Sequence, residues 1–294
     1  MSNQPDARLN VAHRQHGRHW HDYAYCYPVV SRRSGGLSIG INLNPDKVCN
    51  FDCIYCQVDR RTPSAIRKTD LAVLSSELDL LLDMAADQTL FAQPPFDCLT
   101  AEQRVVRDIA FSGDGEPTTN RQFPEAVRIA ADAKRAHGLQ ETKLVLITDA
   151  CYLRRPKVRD ALRLLDENNG EIWAKLDCGT QAYFETVNRP NYPLAHVLAN
   201  ILDAARARPI VIQSLWMRVH GQPPPEEEVH AFADRLNEIA AAGGRIKVVQ
   251  VYTIARGTAE PYATPLCREE LDRVAATVRD STNFQVDAYY GVSQ

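Results

Sequence analysis

An α/β fold with a mainly parallel sheet is what these 294 residues predict, and three observations carry the prediction. Short apolar runs alternate with amphipathic stretches six times in succession, and every parallel crossover needs such a covering helix. The apolar runs are rich in Leu and β-branched residues without strict alternation, as strands buried on both faces are. The unusual residues gather just past the carboxyl ends of those runs, where α/β folds keep their sites. An open doubly wound sheet and a full or partial TIM-like barrel satisfy all three.

The elements follow in order. Residues 1–27 read as a polar N-terminal arm with His13, His16, His19 and His21 among Arg14 and Arg18. Such a segment is a metal-binding tract or a solvated terminus. Tyr23 to Pro28 is aromatic enough to pack onto the body, and Cys26 there reads as a structural thiol. Gly35-Gly36 permits a tight turn into the first strand, Leu37 to Leu43. Leu71, Leu74, Leu78, Leu81, Leu82 and Ala85 recur at helical spacing over 70–87. Residues 88–106, with Pro94-Pro95, read as a long loop. The second strand covers 108–112, with a helix over 123–137 stopped by Gly138. Strands at 143–148, 172–177, 210–217 and 246–252 follow. Helices are expected over 157–167, 194–207, from Pro223-Pro224-Pro225 to Gly243-Gly244, and over 268–279. Phe284 to Tyr289 adds a short terminal strand, and 294 residues are enough for one large α/β domain or two smaller ones.

Composition bounds the function. Hydrophobic content of 45%, charged content of 24% and a net charge of −3 describe an ordinary globular chain with no global footprint for nucleic acid. No run approaches the roughly 20 apolar residues of a membrane span, and the N-terminus has no signal-peptide core. Eight cysteines without a secretory signal point to a reducing, cytoplasmic setting.

Three of those cysteines fall within eight residues, Cys49-Asn50-Phe51-Asp52-Cys53-Ile54-Tyr55-Cys56. Thiols this close cannot pair into a set of disulfides, and three of them on one inorganic centre leave a coordination position open. A zinc ribbon would need a second C-x2-C pair, which the chain lacks. After the second strand comes Gly113-Asp114-Gly115-Glu116-Pro117, either a plain Asp-Gly turn or a loop whose backbone approaches a ligand closely. Lys175 and Asp177, two residues apart at the end of the fourth strand, share a face and form a structural ion pair or a polar site. Gln213 and Gln250 are polar positions within apolar strands, lining a cavity or satisfied locally. Cys98, Cys151, Cys178 and Cys267 stand alone. Asp59-Arg60-Arg61 through Arg67-Lys68 is a basic patch, facing solvent or an anionic substrate.

The C-x3-C-x-aromatic-C loop and the GDGEP element resemble those of radical S-adenosylmethionine (radical SAM) enzymes. Pro28 to Arg33, Ser38 to Leu43, Lys175-Leu176-Asp177 and Asn188-Arg189-Pro190 resemble one branch, the wyosine-synthase-like Fe–S oxidoreductases. The likeness runs over roughly residues 28 to 257. It implies a partial (β/α)6 TIM-like barrel and a [4Fe-4S] cluster on Cys49, Cys53 and Cys56. SAM would then lie near Tyr55, Gly113, Asp114, Gly115, Glu116, Lys175, Asp177, Gln213 and Gln250. The reduced cluster would cleave SAM to methionine and a 5′-deoxyadenosyl radical, which abstracts hydrogen from a substrate. The implied partner is a reductant such as flavodoxin or ferredoxin. A wyosine-base synthase would need a second upstream cysteine set, and Cys26 alone stands there; with the weak charge, this argues against tRNA as substrate. A glycyl-radical activase acting on a partner protein fits the same motif. A zinc-stabilised binding module is the reading from outside enzymes.

Overall fold

The computed structural model describes residues 20–291 together with residues 8, 9 and 12. His13, His16 and His19 of the expected arm lie outside the described residues. The chain divides into two compact units. The first comprises Met1–Val48, Pro63–Leu146 and Lys157–Glu171; the second comprises Cys49–Thr62, Ile147–Pro156 and Ile172–Gln294.

In the first unit, β1 (Cys26–Ser31) pairs antiparallel with β2 (Gly36–Ile41). Parallel pairing then continues through β3 (Val106–Phe111) to β4 (Lys143–Thr148), whose last two residues belong to the second unit. Strand β1 is an addition to the expected set. It carries Pro28, which a sheet tolerates on an edge strand. Helix α1 (Leu71–Ala86) starts at Asp70, whose carboxylate accepts the Ala72 and Val73 amides at 2.9 and 3.3 Å. It buries Leu74, Leu78, Leu81, Leu82 and Ala85, the face its spacing predicts. Glu77 sits in the same buried face. Its carboxylate accepts the amides of Ala24, Tyr25 and Cys26 at 2.6, 2.8 and 2.9 Å, which satisfies a charge that would otherwise be costly to bury. Cys26 is buried and donates to Leu74 O, a structural thiol as expected. Helix α2 (Phe123–Ala136) ends at Gly138, where φ is +66°. Most of helix α3 (Pro156–Asp166) also lies in this unit, and two short 3-10 turns (Thr89–Ala92, Phe96–Cys98) break up the long loop.

The second unit orders its strands β5 (Gly170–Lys175, entering from the first unit), β6 (Ile210–Val219), β7 (Ile246–Thr253) and β9 (Val286–Tyr289), all parallel. Strand β8 (Ala263–Pro265) adds antiparallel to the end of β6. Helices α4 (Gln181–Asn188), α5 (Leu194–Ala207), α6 (Glu226–Ala241) and α7 (Arg268–Ser281) complete it. Glu226, Glu227 and Glu228 fill the first turn of α6, where the helix end favours negative charge. Glu228 also reaches Gly179 N, Thr180 N and Thr180 Oγ1 at 2.5, 3.1 and 2.6 Å, fixing the start of α4. Among the described residues no helix is long and apolar enough to cross a membrane.

Candidate active site

The cysteine loop belongs to the second unit, and the residues between its cysteines anchor it. Ile54 is buried with Val187, Leu215, Met217, Ile254 and Ala263. Phe51 packs edge-on against Phe184 with ring centroids 5.2 Å apart. The backbone is tied to the last turn of α4 and the segment that follows it: Asp52 N donates to Asn188 O, Ile54 N to Val187 O, and Asn191 N to Asn50 O, each at 3.0 Å. Arg189, at φ +44°, makes that turn and reaches Glu260 Oε1 at 2.8 Å. On the other side, Ala259 N donates to Cys56 O at 2.8 Å, and Arg256 donates to Gln57 Oε1 at 3.0 Å. A loop fixed this way presents its thiols from a rigid frame.

Each sulfur has its own polar neighbour. Cys49 Sγ lies 3.9 Å from Asp149 Oδ2, and Asp149 in turn accepts from Asn50 Nδ2 and Cys151 N at 3.0 and 2.9 Å. Asn188 Nδ2 donates to Cys53 Sγ at 3.4 Å. Arg60 donates to Cys56 Sγ at 3.9 Å. Burial, reinforced by the Asp177 carboxylate, pushes the Cys53 thiol up to about 12. Burial works against the Arg60 charge, but the Cys56 and Cys49 sulfurs outweigh it and raise its pKa. The guanidinium therefore neighbours two of the three sulfurs. Arg60 entered the sequence reading only as part of the basic patch, and Asp149 had no role in it; the contact from Asp149 to the loop spans about 100 residues and leaves no local signal.

Asp177 is the hub beneath the loop. It is 2% exposed and accepts from Tyr55 OH, from Asn188 Nδ2 at 2.9 Å and from Leu215 N at 2.8 Å. Lys175 Nζ completes it at 3.0 Å and also donates to Tyr252 OH at 2.7 Å. The Lys175–Asp177 pair read from the sequence forms, and Tyr55 joins it. Gln213 and Gln250 are register partners on β6 and β7, with Gln213 Nε2 donating to Gln250 Oε1 at 2.9 Å. Arg218 is engaged with Glu270.

The GDGEP loop lies in the first unit. Gly113 and Gly115 are there because nothing larger fits. A Cβ on Gly113 would sit 2.4 Å from Asn42 Oδ1, and one on Gly115 would sit 2.1 Å from the Val48 carbonyl. Asn42 Nδ2 donates to Asp114 Oδ2 at 2.8 Å, and Glu116 N donates to Val48 O at 2.9 Å. Glu116 is 3% exposed and accepts from Thr118 N at 3.1 Å. The loop is thus held on the residue immediately before Cys49. Gly115→Ala, which must displace backbone, is expected to destabilise the chain by about 2 kcal/mol. Gly257→Ala, where a Cβ meets nothing within 4 Å, is expected to leave the urea midpoint unchanged.

Among the described residues no three Cys, His, Asp or Glu side chains are gathered as for a metal ion. The donor set nevertheless fits an iron–sulfur group in kind: three thiols outside any disulfide on one anchored loop, with N–H donors beside two of them.

This is the fold of the radical SAM class. A radical SAM methyltransferase from Sphaerobacter thermophilus covers 90% of this chain and 69% of its own at 13% identity, with a TM-score of 0.62. A structure of TYW1 with a lysine–pyruvate adduct covers 84% and 74% at 12% identity, with a TM-score of 0.51. The expected α/β fold of partial TIM-like type is borne out, and so is the resemblance to the class at the level of fold. Among curated proteins, the chain is 23% identical over 264 residues to a protein named GTPase Obg from Brachyspira hyodysenteriae, 88% of this chain and 34% of that one. It is 28% identical over 176 residues to a UPF0026 protein from Methanocaldococcus jannaschii, 60% and 46% of the two chains. A UPF0026 protein from Synechocystis is 30% identical over 165 residues, 55% and 51%. The matched part thus spans between 34% and 51% of the length of these relatives. No family model matches the chain.

Proposed function

We propose that this chain is a radical SAM enzyme that abstracts hydrogen from its substrate. The observation that carries the reading is the anchored Cys49–Cys56 loop, with three thiols outside any disulfide, on a fold shared with that class. Cys49, Cys53 and Cys56 would hold a [4Fe-4S] cluster, which supplies the electron that splits bound SAM into methionine and a 5′-deoxyadenosyl radical. A reduced flavodoxin or ferredoxin would deliver that electron. The Gly113 to Glu116 loop, packed on Asn42 and Val48, is the segment that would take the amino acid end of SAM. Asp177 and Lys175 act through Tyr55 and Asn188: they orient the loop and keep its sulfurs where the Arg60 and Asn188 donors meet them.

The lysine–pyruvate adduct named for TYW1 is not carried over to Lys175. Its ammonium is held by Asp177 Oδ1 at 3.0 Å and Tyr252 OH at 2.7 Å, and these partners outweigh burial and raise its pKa, which disfavours the neutral amine that such an adduct needs. The GTPase of the Brachyspira protein's name is not carried over either, since the match covers 34% of that protein. A phosphate-binding P-loop needs a Gly-Lys step, and the 294 residues contain none.

Anaerobic reconstitution tests the proposal. The expected result is about four irons and four sulfides per chain, with SAM cleaved on addition of dithionite. One bound zinc and intact SAM would establish the binding module instead. Arg60→Met is expected to lower the midpoint potential of the reconstituted cluster by roughly 60 mV, one decade for a single electron. It removes a positive charge and an N–H···S contact, both of which favour the reduced cluster. A dye-mediated titration reads this independently of turnover.

A further inference from the structure

Polar positions on the strands of the second unit line up into a row that the proposed chemistry leaves without a task. Lys175, Gln213, Gln250 and Asp287 are successive register partners across β5, β6, β7 and β9. In a parallel sheet such partners share one face. It is the face the cysteine loop covers, for Leu215 and Met217, next along β6 on the side of Gln213, pack with Ile54. Lys175 belongs to the hub already described, its ammonium held by Asp177 and Tyr252. The other three positions have no such closure.

Gln213 Nε2 donates to Gln250 Oε1, which leaves Gln213 Oε1 and Gln250 Nε2 without a partner among the described residues. Turning both amides over exchanges the roles and changes nothing: the couple always offers one carbonyl oxygen and one NH2 group. Ser214 Oγ and Trp216 Nε1, on the opposite face of β6, are sealed from solvent; the unused ends of the two glutamines are not. Asp287 adds charge. Its Oδ1 accepts from Gln285 Nε2 at 2.9 Å, and among the described residues no cation pairs with it. Asp287, Tyr252 and Tyr289 are half-buried, so this end of the row is open. Because Lys175 and Asp177 cancel, the row keeps one uncompensated negative charge beside a donor–acceptor couple.

We propose that this row binds an α-amino amide, its ammonium on Asp287 and its amide oxygen and N–H on the glutamine couple. Neighbouring strands lie about 4.8 Å apart, the reach of a molecule whose ammonium and amide are separated by one carbon. Resting on the radical SAM reading, this names the class of the substrate. The row and the cysteine loop share the second unit, and Lys175 Nζ lies 5.0 Å from the centre of the Tyr55 ring. An adenine edge would match the glutamines too, but it is neutral and leaves Asp287 without a counter-charge.

The test is calorimetric titration of the full, reconstituted chain, without reductant, using glycinamide, ethylamine, N-acetylglycinamide and SAM. Saturable one-to-one binding of glycinamide is expected. Ethylamine, which lacks the amide, and N-acetylglycinamide, which lacks the charge, are expected to bind at least about tenfold more weakly. Asp287→Asn keeps the shape and removes the charge, and should weaken glycinamide at least about tenfold. Gln213→Leu/Gln250→Leu removes both halves of the bonded couple, so no buried group is stranded. It is expected to bind glycinamide no better than ethylamine. Asp280→Asn, at an exposed acid of α7, is expected to bind as the natural chain does. Absence of saturation, equal affinity in Asp287→Asn, or displacement of glycinamide by SAM would each overturn the site. Iron content, measured on the same samples, separates the two proposals. A chain that binds glycinamide but holds no iron sinks the enzyme reading alone. Asp287→Asn with full iron and weakened glycinamide binding supports the site.

Discussion

Asp177→Ala is expected to destabilise the chain by about 3–5 kcal/mol, the cost of leaving one member of a buried ion pair without its partner. The carboxylate is 2% exposed and serves four donors: Tyr55 OH, Asn188 Nδ2, Leu215 N and Lys175 Nζ. Removing it strands a buried ammonium and three neutral donors together. Lys175→Met is expected to cost at least about 1 kcal/mol less, because the carboxylate it abandons keeps three hydrogen bonds. Urea unfolding of the metal-free chain in reductant measures both. Equal losses, or a larger loss for Lys175→Met, would show that the lysine and not the carboxylate organises this part of the unit. Asp177→Ala should also reduce iron retained after reconstitution, since Tyr55 and Asn188 lose the group that aims them at Cys53.

This hub shows what the sequence makes legible and what it hides. The Lys175–Asp177 pair is readable because two residues two apart at a strand end share a face. That Tyr55 completes it is not, because 122 residues separate the tyrosine from the carboxylate. The cysteine motif is legible for the opposite reason: its chemistry is written in consecutive positions. Helix α1 could be read from Leu74, Leu78, Leu81 and Leu82, but Glu77 in the same face could not be seen as buried. Its three amide partners come from Ala24, Tyr25 and Cys26, some 50 residues upstream. The eight residues of α4 and the three of β8 are too short for periodicity to register. Asn188-Arg189-Pro190 stood out only by resemblance, and the structure supplies its physical use: the turn clamps the cysteine loop by main-chain bonds and offers Asn188 to a sulfur. The barrel closure was likewise beyond periodicity, because parallel strands with buried faces look the same in an open sheet and a closed one.

The same anchoring determines what removing a single sulfur should do. Cys53→Ala is expected to abolish the reconstituted cluster and SAM cleavage together, taking iron from about four per chain to near zero. Cys267→Ala is expected to keep both, for Cys267 is exposed and caps the start of α7. Loss of the cluster should not be loss of the fold. The loop is fixed by Phe51 against Phe184, by Ile54 in the core and by the backbone bonds to Asn188, Val187 and Asn191, none of which involves a sulfur. Cys53→Ala should therefore unfold within about 1–2 kcal/mol of the natural metal-free chain, a small-residue change at a half-buried site. This separates ligand from scaffold: Asp177→Ala lowers stability and iron, whereas Cys53→Ala removes iron at nearly constant stability. Full iron and turnover in Cys53→Ala would refute the ligand assignment, and with it the proposal that the three thiols act as one set.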